Sequence, residues 1–112
     1  MLSESDILEL SGEASFDDVR DLNLRNQKLS SFESYAPLLP SILALSLSHN
    51  QLSTLRGFHH LHLLTSLNVN FNQLNSLEGI QSCKSLEKLF AANNMIRDLS
   101  PLACLPMLTT VR

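Results

Sequence analysis

The chain has 112 residues, a formal net charge of −3 and a pI near 5.7. That is one domain by length, without the clustered Lys and Arg that direct contact with nucleic acid requires. Its leucine-rich runs are broken within a few positions by Ser, Asn, His or Pro, too short for a membrane span. Glu4, Asp6 and Glu9 stand where a secretory leader needs a basic and then an apolar region, so a soluble, cytoplasmic chain is expected.

Residues 1–18 read as an N-terminal cap. Ser3 is followed three places on by Asp6, a helix-starting box with a shorter acid than usual, and then by Ile7, Leu8 and Leu10 before Gly12. The pattern predicts a short amphipathic helix ending near Ser11, with Asp17 and Asp18 as a polar link between this helix and the first strand.

From Val19 to Arg112 one spacing recurs. Apolar residues at the first, fourth, sixth and eleventh places and Asn at the ninth are met by Ile42, Leu45, Leu47, Asn50 and Leu52. The same places are filled by Leu64, Leu67, Val69, Asn72 and Leu74, and by Leu86, Leu89, Ala91, Asn94 and Ile96. The three asparagines are 22 residues apart. An earlier unit runs through Val19, Leu22, Leu24 and Leu29 with Gln27 in the asparagine place, and its extra residue falls around Ala36 to Ser41, where Pro37 and Pro40 mark a loop. A period of this size with this internal pattern is the mark of a leucine-rich repeat, an α/β solenoid whose units stack. Four repeats and the start of a fifth, at Leu108 to Arg112, are counted, which suggests the N-terminal part of a longer chain and a monomeric repeat domain within it.

Each repeat should contribute one short strand to a parallel sheet on the concave face, near Asp21–Leu24, Ala44–Leu47, Ser66–Val69, Lys88–Ala91 and from Thr110. Between asparagines the apolar residues return every third place: Leu52, Leu55, Phe58, Leu61, Leu64 and Leu67, then Leu74, Leu77, Ile80, Cys83, Leu86 and Leu89, then Ile96, Leu99, Leu102, Leu105, Leu108 and Val111. That period suits three-ten turns on the convex face, with Gly57, Gly79 and Pro101 as punctuation. Cys83 falls on the apolar register and Cys104 one place off it. Secreted proteins of this repeat type carry flanking cysteine clusters, which are absent here, so both are expected to be free thiols.

Gln27, Asn50, Asn72 and Asn94 are expected to form a stacked ladder, each amide donating to carbonyls of its own and the adjacent turn. The residues alternating with the inward leucines face solvent and are the candidate partner-binding set. They include Asn23 and Arg25, Ser46, Ser48 and His49, Asn68, Asn70 and Phe71, and Lys88 and Phe90. Most are small and uncharged, a surface that a protein partner approaches without desolvating many charges. Phe71 and His49 occupy equivalent places beside the asparagine turn, where packing over the turn competes with a binding role. Phe90, between inward Leu89 and Ala91, should point out of the concave face as an aromatic anchor; its competing reading is packing on Phe71.

The repeat cores, the connecting LxxLxGF, LxxLEGI and IxxLSPL segments from Leu52, Leu74 and Ile96, and the opening LSESDILELSGEASFDDVRDLNLRNQKL resemble a 22-residue class of leucine-rich repeats. Members of that class include the protein phosphatase 1 regulatory subunit, the A-prime subunit of a spliceosomal ribonucleoprotein, and many cilium- and centrosome-associated proteins. The resemblance implies a protein-binding scaffold. The opening resembles the entry cap shared by the spliceosomal and ciliary members, and with the four irregularly polar repeats the leading expectation is a cilium or flagellum, basal body or centrosome, with a cytoskeletal location. The alternatives are a spliceosomal A-prime-like subunit that binds an RNA-binding protein, and a phosphatase regulator.

Chemistry finds little support. His59, His60 and His62 are nearly adjacent, but no Cys or acid lies at a convincing ligand spacing. There is no nucleophile elbow and no glycine-rich phosphate loop in a chain with three glycines. No catalytic residue, metal or cofactor is expected.

Overall fold

The computed structural model describes residues 2–112; Met1, the first residue of the expected cap, lies outside the described residues. One helix, α1 (Glu4–Ser11), precedes five strands, β1 (Asp21–Asn23), β2 (Ala44–Ser46), β3 (Ser66–Asn68), β4 (Lys88–Phe90) and β5 (Thr110–Val111). The strands form one parallel sheet in sequence order. Three-ten turns cross between them at Ala36–Leu38, Phe58–His60, Ile80–Ser82 and Ser100–Cys104, so the chain is a solenoid with its sheet on one face and tight turns on the other. A further turn at Phe16–Asp18, capped by the Ser15 side chain, occupies the stretch read as a polar link.

The cap helix begins where the sequence places it. Ser3 Oγ accepts from the Asp6 N–H, and the Asp6 carboxylate accepts from the Ser3 N–H at 2.8 Å, so two of the orphan donors of the first turn are satisfied reciprocally. These bonds, the one from the Ser3 backbone first, hold the Asp6 carboxyl below its ordinary value. Gly12 ends the helix in the left-handed region, φ 75°, and its N–H returns to Leu8 and Glu9. Ile7 is fully buried against the first repeat, while Leu10 stays exposed. The Tyr35 hydroxyl donates to the Leu2 carbonyl at 2.6 Å and fastens the cap to the first convex loop.

Leu22, Leu45, Leu67 and Leu89 pair in register across β1 to β4 and point inward. The period-three leucines fill the space between sheet and convex turns. Every member of the series from Leu52 to Leu67, and of that from Leu74 to Leu89, is buried. The third series is not: Leu99 and Val111 are exposed, and Ile96, Leu102 and Leu108 are half-buried. A coil buries its apolar edge only against a neighbour on each side, and the last coil has one neighbour among the described residues. Gly57 and Gly79 make the coils' close approach possible. At φ 92° and 108° they precede their three-ten turns, and a Cβ at either would lie 2.9 Å from backbone of the preceding coil, Glu33 Cα and Leu55 O respectively. Pro101 does not sit at the same place in its turn, because the Ser100–Cys104 segment is longer and has Pro101 inside it.

The asparagines bind the coils to one another in both directions. Asn72 Nδ2 donates to the Val69 and Asn70 carbonyls of its own turn and to Leu47 of the preceding coil, at 3.0 to 3.2 Å, while its Oδ1 accepts from the Leu52 N–H at 2.9 Å. Asn50 and Asn94 repeat the pattern, Asn50 Oδ1 accepting from both Gln27 and Leu29 N–H. Gln27 departs from the expected ladder. Its side chain makes one long bond, Nε2 to the Arg25 carbonyl at 3.4 Å, because its extra methylene carries the amide past the turn and no earlier coil offers carbonyls to it. The first turn accordingly has two left-handed residues, Asn26 and Lys28, where the later turns have one each. Replacing Asn72 by Ala strands these buried groups and should cost about 1–3 kcal/mol. Gln27→Ala should cost under about 0.5 kcal/mol, as at a surface site. Urea unfolding of the two variants checks the contrast, and equal midpoints would contradict it.

Candidate concave interface

Sheet pairing sets the concave residues in rows. Asp21, Ala44, Ser66, Lys88 and Thr110 lie side by side, as do Asn23, Ser46, Asn68 and Phe90. Two residues further along each strand come Arg25, Ser48, Asn70 and Ala92, and then the left-handed positions Asn26, His49, Phe71 and Asn93. The small side chains in the middle of the sheet leave a hollow of about 250 Å³, floored by Ala44, Ser46 and Ser66 and bounded by Asp21 and Asn23 at one end and Phe90 at the other.

Among the described residues Phe90 is the only aromatic lining this hollow. Its ring is half-buried and forms no aromatic pair with Phe71, the stacking partner of Phe71 being His49. Lys88 is exposed beside it. Asn68 and Asn70 are half-buried, since each oxygen is drawn into the coil: Asn68 Oδ1 accepts from the Asn70 N–H at 3.0 Å, and Asn70 Oδ1 from the Ala92 N–H at 2.6 Å. Asn23 Oδ1 takes the Arg25 N–H in the same way. Arg25 is exposed, and the Ser46 hydroxyl is within 3.4 Å of that of Ser48. Ser48 is not solvent-facing as expected. It is buried because its carbonyl is pulled into the turn by Asn26 N–H and Asn50 Nδ2.

His49 and Phe71 stack face to face, centroids 4.4 Å apart and 13° between planes. Both are exposed and both have φ near 57°. Asn and His tolerate that region; a phenylalanine there is unusual. Periodicity shows which residues precede the ladder asparagine but carries no sign of this backbone state, so the strain at Phe71 was not visible from the sequence.

The remaining candidates for chemistry do not converge. His59 and His60 rings are 4.1 Å apart on an exposed turn, and among the described residues no three His, Cys, Asp or Glu side chains are grouped for a metal. Cys83 is buried and Cys104 exposed, both as free thiols. Burial raises the Cys83 thiol to about 11.

Comparison with known proteins completes this picture. The family described as leucine rich repeat matches residues 17–74, more than half of the chain. The chain belongs to the leucine-rich repeat family. Among solved structures, this leucine-rich repeat chain is similar to internalin C2 of Listeria monocytogenes, with a TM-score of 0.85 and 23% identity over 94% of this chain and 50% of that one. It is similar to a leucine-rich repeat protein of Leptospira interrogans, with a TM-score of 0.74 and 26% identity over 84% of this chain and 25% of that one. It is also similar to a chain of the Drosophila melanogaster SNF/U2A' complex, with a TM-score of 0.70 and 27% identity over 92% of this chain and 64% of that one. It therefore spans half or less of the two bacterial proteins and under two thirds of the Drosophila chain. A search of curated protein sequences gives no match.

Two measurements test the geometry. A thiol reagent should label Cys104 in the native protein and Cys83 only on unfolding, since the thiolate is the reactive form and Cys83 is both buried and protonated; simultaneous labelling would refute the packing. Phe90→Ala should change stability by less than about 1 kcal/mol, because the ring packs on the rim of an open hollow rather than in the core; a thermal melt shows this directly.

Proposed function

We propose that this leucine-rich repeat chain binds another protein through its concave face, with Phe90 as the anchor. Leucine-rich repeat domains are in general interaction modules, and the family match supports that much for this chain. The single observation carrying the concave assignment is the hollow: a half-buried aromatic ring at the end of a floor of small residues, open to solvent. An aromatic side chain held beside small polar groups is the arrangement of an interface hot spot, and here the fold itself gains little from the ring. His49 and Phe71 extend the same surface along the turn edge.

Which partner and which setting are narrower questions. The likeness to a chain of the SNF/U2A' complex, at 27% identity over 92% of this chain, supports a spliceosomal A-prime-like subunit that takes a protein partner. The ciliary, basal-body or centrosomal setting rests on an entry-cap resemblance that the spliceosomal members share, and the phosphatase-regulator reading on the repeat class. An affinity pull-down with the intact protein separates them. Capture of a ribonucleoprotein favours the A-prime reading, while localisation to a cilium base or centrosome favours the first. In either case Phe90→Ala should weaken partner binding by about 2 kcal/mol or more. Undiminished capture by a folded Phe90→Ala protein would refute the concave assignment.

A further inference from the structure

We propose that the concave face recognises an extended acidic peptide segment through outward-facing carboxamide N–H groups. The proposal rests on the concave reading above and names the chemistry of its partner. Asn23, Asn68 and Asn70 all lie on this face, and each uses its oxygen internally to accept a backbone N–H, from Arg25, Asn70 and Ala92 respectively. A backbone N–H must be met by oxygen, so these bonds fix which end of each carboxamide is turned to the coil. The Nδ2 groups are the free ends, and none meets an acceptor among the described residues. Three side chains that elsewhere donate and accept equally are thereby made donors.

Charge reinforces the bias. Between β1 and β4 this face carries two cations, Arg25 and Lys88, against one anion, Asp21, although the whole chain has a formal charge of −3. Partner groups that match such a row are carboxylates and peptide carbonyls, and donor bonds to an ionised acceptor are the stronger kind. The small floor of Ala44, Ser46 and Ser66 lets an extended backbone come close, with Phe90 closing the end. A basic peptide would set donors against donors. A nucleic acid would find two cations where phosphate binding needs a cluster.

The test is a titration of the isotopically labelled chain, following the carboxamide signals of Asn23, Asn68 and Asn70 by NMR, with a glutamate decamer, a lysine decamer and a thymidine oligonucleotide in separate arms. The glutamate decamer should shift these signals at low salt. Asn70→Asp keeps an oxygen for the Ala92 N–H and replaces the donor by an anion, so it should leave the melting temperature nearly unchanged and weaken glutamate-decamer binding about tenfold, one hydrogen bond's worth. Should that variant unfold, Asn68→Asp and Lys88→Gln carry the same comparison. Silence in the glutamate arm, preferential shifts by the lysine decamer or the oligonucleotide, or unchanged affinity in the folded variants overturns the proposal. The concave reading is tested apart from this: a cellular partner lost with Phe90→Ala but retained with Asn70→Asp would leave that reading standing and remove the acidic ligand.

Discussion

Every coil of this solenoid ends its strand in a tight turn whose carbonyls point into the stack, away from water. A buried carbonyl without a donor is expensive, and in the second, third and fourth coils one asparagine answers the need. Asn72 meets three carbonyls with one nitrogen, two in its own turn and Leu47 in the preceding coil, while its oxygen takes the Leu52 N–H. The contact is local and inter-coil at once, so the same side chain that closes a turn also sets the spacing of the stack. The glutamine of the first coil does not take this role. At Gln27 the longer side chain leaves one weak bond, and the turn is completed from outside by Asn50 Oδ1, which accepts both the Gln27 and the Leu29 N–H.

From that constraint the rest of the geometry follows. β1 to β4 are each three residues long and each gives the core one leucine. The two flanking residues of each strand are left to the concave face and carry no packing duty. The residue before each ladder asparagine is left-handed, as His49, Phe71 and Asn93 are, and so is Asn26 before Gln27. At Phe71 this conformation costs about 1–3 kcal/mol, and the stack on His49 returns about 0.5–1.5 kcal/mol. The frame thus tolerates a residue its backbone disfavours, at an exposed place where the core gains nothing from the ring.

The frame was legible because its residues recur. The inward leucines, the ladder asparagines at 50, 72 and 94 and the convex turns follow from spacing, since stacking demands the same residue type at the same place in each coil, while the capping box at Ser3 and Asp6 is read from its own local motif. What spacing does not carry is context at the ends. Leu99 and Val111 obey the apolar register as well as Leu55 and Leu67 do, yet they are exposed because only one neighbouring coil covers them. The first repeat fails in the opposite sense: Gln27 keeps the place of the ladder and loses its bonds, no earlier coil standing beside it among the described residues. Nor does a one-dimensional pattern show which end of a carboxamide is turned outward, and that is the chemistry of the concave face.

Repetition fixes the frame and leaves the concave face free of packing demands. The 23–27% identity to bacterial and Drosophila chains of the same fold is the level at which a shared frame persists. On the proposed concave reading, partner choice lies in the rows between the leucines. There the chain has placed small residues at the centre, a ring at Phe90 and carboxamides whose oxygens the coils have already taken. These carboxamides stand in the first coil at Asn23 and in the third at Asn68 and Asn70, while the equivalent places of the second and fourth coils carry Ser46, Ser48, Phe90 and Ala92. On the proposed concave reading, a partner presents acceptors to Asn23, Asn68 and Asn70, and an extended chain running across the parallel strands would supply them from its own carbonyls and acidic side chains.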